Sequence, residues 1–116
     1  MPLVHLRTSA SLPASVKTRL LADLSRACAE IIGKPEAYVM SVVDDGVAML
    51  FAGEPGPTAL VEVRSIGGLG PAVNGRLARR VGELVTAATG APGARTYASF
   101  TDVPASDWAH DGETFG

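Results

Sequence analysis

Removal of Met1 would leave Pro2 with a secondary amine, a nitrogen that can take up and return a proton. While Met1 remains, the same nitrogen is a tertiary amide and does neither. An amine at the start of a strand, among apolar residues and near a cation such as Lys34, is disfavoured in its charged form by burial and by repulsion. Its pKa then falls toward neutrality, where an acid/base group works best. Lys34 itself reads in two ways: a solvated lysine beside a helix C-terminus, or a cationic anchor for a carboxylate. Ser65-Ile66-Gly67-Gly68-Leu69-Gly70 lies between a strand and a helix, so its backbone N–H groups are placed to meet an anion. It lacks the full GxGxxG spacing, which argues against a dinucleotide. Tyr97 and Ser99, two apart on a strand, share one face and present their hydroxyls together or serve packing. Trp108 and Phe115 sit in a tail too short for its own core and must dock on the rest, as packing or as a pocket wall. His5 and His110 have no evident triad partners and are assigned structural or surface roles.

A repeat supplies the elements that must position these groups. Leu3-Val4-His5-Leu6-Arg7-Thr8 matches Leu60-Val61-Glu62-Val63-Arg64-Ser65 at an offset of 57 positions (60 − 3). The offset persists through Leu12/Leu69, Leu20/Leu77, Cys28/Val85, Gly33/Gly90 and Pro35/Pro92. Each unit opens with a β-type run and continues with apolar residues at every fourth position, such as Val16, Leu20, Leu24 and Cys28, one face of a helix. The first helix is expected from about Pro13 to Ile32, where Pro13 suits a first turn and Gly33 a stop. The second runs from about Pro71 to Thr89, stopped by Gly90. Further β-type segments, Tyr38 to Val43 and Thr96 to Thr101, complete two β-α-β units with right-handed crossovers. Asp44-Asp45-Gly46 reads as a hairpin turn into a strand from Val47 to Phe51. The expected fold is α+β: a four-stranded mixed sheet with two helices on one face, plus short extra strands.

Alternation assigns Val4, Leu6, Val61 and Val63 to the helix-facing side of the sheet. The other side carries Leu3, His5, Arg7, Leu60, Glu62 and Arg64. Either this is a solvated face, or subunits close around it and leave the charges near a central axis. By the same parity, Glu62 and Arg64 are expected at a subunit interface.

Composition narrows the rest. With 116 residues, a net charge of −2 and 47% hydrophobic residues, the chain suits one domain over residues 1–116. There is no signal-peptide pattern and no apolar run near the roughly 20 residues that span a bilayer, so a cytoplasmic location without membrane association is expected. The single cysteine, Cys28, forms no internal disulfide, and no Cys/His cluster has metal-ligand spacing. Neither a metal nor another cofactor is expected. The charges are dispersed, without the basic stripe that marks nucleic-acid binding.

Taken together, Met1-Pro2, Gly33-Lys34-Pro35, Tyr38, Arg64-Ser65-Ile66-Gly67, Tyr97-Ala98-Ser99, Trp108 and Thr114-Phe115 resemble the macrophage migration inhibitory factor and tautomerase family over essentially the whole chain. The resemblance implies a homotrimer whose sheets enclose a channel, with three active sites between subunits. It implies a keto-enol tautomerase of phenylpyruvate-like α-keto acids, with Pro2 as general base and acid. Ser65, the Ile66 backbone and Lys34 would bind substrate. Tyr97 and Ser99 would come from the neighbouring subunit, and Tyr38, Trp108 and Phe115 would form an aromatic wall. Alternatives carried by the same resemblance are a cytokine-like trimer that binds a protein receptor, and a hydratase, dehalogenase or decarboxylase. Three departures stand out. Ser99 replaces the asparagine usual in the animal factor, Thr58 and Val61 replace its CxxC thiols, and Ala109 to Thr114 is slightly longer.

Overall fold

In the computed structural model, which describes residues 1–116, four strands order as β2-β1-β3-β4. They are β1 (Pro2–Thr8), β2 (Met40–Asp44), β3 (Ala59–Ser65) and β4 (Thr96–Asp102). β1 and β3 pair antiparallel at the centre, from Pro2 opposite Ser65 to Thr8 opposite Ala59. β2 and β4 flank them in parallel, β2 setting Leu3 beside Met40 and β4 setting Ser65 beside Asp102. Helices α1 (Ala14–Ile32) and α2 (Pro71–Thr89) supply the two crossovers. The mixed sheet with two β-α-β units is the expected fold, and the 57-residue offset relates β1 to β3 and α1 to α2 residue for residue.

The helices form where the apolar spacing placed them because that face has something to cover. Leu20, Leu24 and Cys28 from α1 and Leu77, Val81 and Val85 from α2 meet Val4, Leu6, Val61 and Val63, all essentially inaccessible to water. Both helices end in the same way: Gly33 and Gly90 adopt left-handed φ values of 80° and 76° and donate their N–H groups to Ala29 and Thr86. That conformation suits a residue without Cβ. At the start of α2, Pro71 fills a position that needs no N–H, and Asn74 Oδ1 accepts from Gly70 N–H at 3.3 Å. Cys28 lies within this core, where burial pushes its thiol pKa up to about 12. It is therefore an unreactive packing residue near neutral pH. No helix is long and apolar enough to cross a membrane.

Two local expectations are corrected. Tyr38 belongs to a 3₁₀ turn (Glu36–Tyr38) and β2 begins at Met40, because the Tyr38 N–H is spent on the Pro35 carbonyl at 3.0 Å. The hairpin at Asp44-Asp45-Gly46 does not form. Asp45 instead accepts from the Leu12 N–H at 2.8 Å and from Lys17 Nζ at 3.3 Å, while Gly46 and Val47 donate to Ala10 and Thr8. These bonds turn the chain across the end of β1. Val47 to Leu50 forms no strand, and Phe51 makes only an isolated bridge to Glu54. The short extra strands are at the C-terminal end, β5 (Ala109–His110) and β6 (Glu113–Thr114), paired antiparallel. Asp111 and Gly112, at φ values of 51° and 78°, make the two-residue turn between them.

Candidate active site

Pro2 opens β1, and its ring is among the fully buried side chains. A pocket of about 360 Å³ lies at this end of the sheet, lined by Met1, Pro2, Tyr38, Arg64, Trp108 and Phe115 among others. The aromatic wall arises from two distant pieces of chain. Tyr38 is delivered by the turn that precedes β2. Trp108 and Phe115 are held together by the β5–β6 hairpin, where the Phe115 N–H donates to the Trp108 carbonyl at 3.0 Å. The tail therefore docks as a pocket wall.

The amino group of Met1, one residue before Pro2, is held below its ordinary range, first by burial and second by the charge of Lys34. Lys34 reaches this position because the Gly33 cap turns the chain at the end of α1 and the loop after β3 packs against it. Gly68, at φ 80°, leaves no room for a side chain: a Cβ there would lie 2.7 Å from Ile32 Cγ2 and 3.3 Å from Lys34 Cε. The loop Ser65–Gly70 is thus laid directly over the lysine. Asp102 fixes its start by accepting from the Gly67 N–H at 2.9 Å. The Ile66 backbone makes no hydrogen bond within the chain, but neither Ile66 nor Lys34 is among the residues that line the pocket within one chain. Ser65 is different from the expectation. It is fully buried and its hydroxyl donates to the Gly67 carbonyl at 2.7 Å, so its side chain shapes the loop instead of presenting a donor to the pocket.

Tyr97 and Ser99 lie elsewhere. Tyr97 is level with Leu60 and Arg7, and Ser99 with Glu62 and His5, whereas Pro2 is level with Ser65 and Asp102. Five strand residues separate the Tyr97 level from the Pro2 level, roughly 16 Å at the strand rise. One chain does not join these groups. Tyr97 is 66% exposed and packs edge-on against Phe51, with ring centroids 5.1 Å apart.

Three charged or titratable pocket residues escaped the sequence reading, Arg64, Asp107 and His110. Arg64 has the expected parity, yet it lines the pocket because it is the penultimate residue of β3, level with Leu3 at the sheet end. His110, assigned to a structural or surface role, also lines the pocket and stacks on Phe115 at 6.3 Å. The Asp111-Gly112 pair was the signal for its hairpin.

The sequence pattern that defines macrophage migration inhibitory factors matches residues 1–116. The chain belongs to the macrophage migration inhibitory factor family. The family homologue of Brugia malayi is 38% identical over 102 residues, 88% of this chain and 89% of that protein. Among solved structures, the macrophage migration inhibitory factor homologue of Prochlorococcus marinus superposes with a TM-score of 0.93 at 39% identity, covering 98% of this chain and 99% of its own. Pt0534, solved after inactivation by 2-oxo-3-pentynoate, superposes with a TM-score of 0.86 at 25% identity, covering 97% and 94%. Family membership and the tautomerase fold follow from these matches.

Proposed function

We propose that this protein is a cytoplasmic keto-enol tautomerase of phenylpyruvate-like α-keto acids, using the Pro2 amine as general acid and base after Met1 is removed. The observation that carries this reading is the chain start itself: the Met1 amine, next to Pro2, is disfavoured in its charged form by burial and by Lys34, at the edge of a pocket with aromatic walls, and the Pro2 amine would meet the same surroundings once Met1 is gone. Neutral Pro2 nitrogen takes a proton from the carbon beside the ketone, leaving an enolate whose oxygen takes a proton from water to give the enol; in the ketonisation direction the enol O–H gives its proton to water as the Pro2 ammonium protonates the carbon. Lys34 and the Ile66 N–H balance negative charge on the carboxylate or enol oxygen. Trp108, Phe115 and Tyr38 hold the aromatic ring. The inactivation of Pt0534 by an acetylenic 2-oxo acid supports a site that admits α-keto acids.

The active form is a homotrimer. Tyr38, Met40, Leu50 and Tyr97 expose large apolar surfaces, which subunit contacts would cover. Tyr97 and Ser99, remote from Pro2 in their own chain, reach a neighbouring subunit's pocket in such an assembly.

Intact mass establishes whether Met1 is gone, and ultraviolet absorbance follows phenylpyruvate ketonisation. Pro2→Gly should lose about 10²–10⁴ of the rate, the usual contribution of one acid/base group. Equal rates in both proteins would refute the reading. A second reading, hydration or dehalogenation, draws on Arg64 and Asp107, a cation and an acid in the same pocket. Faster turnover of a halogenated acrylate than of phenylpyruvate would put it first.

A further inference from the structure

The two arginines related by the repeat have opposite surroundings. Arg7 is paired with Glu62 across the β1–β3 ladder. Arg64, its counterpart 57 positions on, is level with Leu3 on one side and Thr101 on the other, neither of them acidic. No side chain or backbone group of the chain hydrogen-bonds its guanidinium, and none of the five ion pairs includes it. Asp107 is the one carboxylate lining the pocket, and its Oδ1 accepts from the Ser106 hydroxyl at 3.3 Å instead of from Arg64. Arg95, the remaining arginine near the sheet, is committed to the loop before β3. Arg64 is therefore an unspent, permanently charged and solvent-exposed fork that lines the pocket, on a different element from Lys34.

We infer that Arg64 is a specificity residue that receives a second carboxylate, so that the pocket prefers enol or keto diacids over monoacids. Lys34 and the Ile66 N–H meet the carboxylate next to the reacting carbon. Arg64 meets a second one, a planar anion that its fork can bind through two N–H groups. This inference rests on the pocket proposed above for α-keto acids, but it concerns binding and not proton transfer.

Trp108 is the only tryptophan and lines the pocket, so its fluorescence reports occupancy without turnover. The probes are phenylpyruvate and 4-carboxyphenylpyruvate, which differ by one carboxylate. Wild type should bind the diacid about tenfold more tightly, the scale of one charge-assisted contact. Arg64→Gln should bring the ratio of the two dissociation constants near one, and Arg64→Lys should leave an intermediate ratio. A ratio unchanged by Arg64→Gln would overturn the inference. So would dissociation of the oligomer in sedimentation, since Arg64 would then serve a subunit contact. Pro2→Gly distinguishes the two readings: it should abolish ketonisation while preserving the diacid preference in binding.

Discussion

Pro2, Lys34 and Tyr38 correspond, 57 positions on, to Ala59, Ala91 and Arg95. At the first set the end of the sheet is an open pocket bordered by Met1, Pro2 and Tyr38, with the charge of Lys34 near the Met1 amine. At the second it is closed. Ala59 and Ala91 are buried without polar side chains, and Arg95 reaches back over the loop before β3. Its guanidinium donates to the carbonyls of Pro57 and Glu54 and to the Thr58 hydroxyl, at 3.0, 2.8 and 2.9 Å, and lies 5.7 Å from the Phe51 ring centre. Phe51 in turn supports Tyr97. Duplicated backbone thus provides two equivalent sheet ends, and the side chains at these positions, together with the β5–β6 hairpin that forms in the second unit only, leave one open and the other sealed. The halves keep one polar device in common: Asp45 and Asp102, again 57 apart, each accept a backbone N–H from the loop that leads into their own unit's helix.

The comparison breaks most sharply on activity. Pro2→Gly should remove about 10²–10⁴ of phenylpyruvate ketonisation, while Ala59→Gly should leave the pH–rate profile of the folded protein unchanged. Stability should show the reverse asymmetry. Arg95→Met, which strands the acceptors of the loop before β3, should cost about 1–3 kcal/mol in urea unfolding, whereas Arg64→Met should stay within about 0.5 kcal/mol of wild type.

A subtler difference lies in pH dependence. Lys34 disfavours the charged amine, so Lys34→Met should raise the pKa of that amine. At a given pH less of it is then neutral, and the ascending limb of the ketonisation profile moves to higher pH. Burial, the larger cause at the Met1 amine, persists at the chain start, so the limb should move only part of the way toward that of an unperturbed amine. An unmoved limb would remove Lys34 from the site.

The smallest effect concerns Asp45, whose carboxyl is held below its ordinary value of 3.8, chiefly by the Leu12 N–H and then by Lys17. A carboxyl with a depressed folded pKa contributes stability above its unfolded pKa and loses it as pH falls through the folded one. Asp45→Asn retains an acceptor for Leu12, so melting temperature should change little at pH 7 and fall less steeply than wild type below pH 3.8.

The sequence made the helices and core legible because each rests on a local cause: a four-residue apolar period, a glycine at the stop, alternating residues on the central strands. It misplaced what depends on tertiary competition. Asp45-Gly46 has the letters of a hairpin turn, but its carboxylate finds a better use on the Leu12 N–H. Asp111-Gly112 has similar letters and does make a turn, though strands of two residues leave no alternation to reveal it. The parity of Arg64 was readable, while its reach over the sheet end was not, since that depends on where β3 stops. Pro2 and Lys34 were legible as types, whereas the close packing of Gly68 on Ile32 and Lys34 is encoded by no local pattern.

The β5–β6 hairpin brings Phe115 to the same pocket that Met1 and Pro2 border. The two extremities of the polypeptide are therefore neighbours at the place where the proposed chemistry occurs. An affinity handle joined to the amino end would convert the Pro2 nitrogen to an amide, and one joined to the carboxyl end would thread past the aromatic wall.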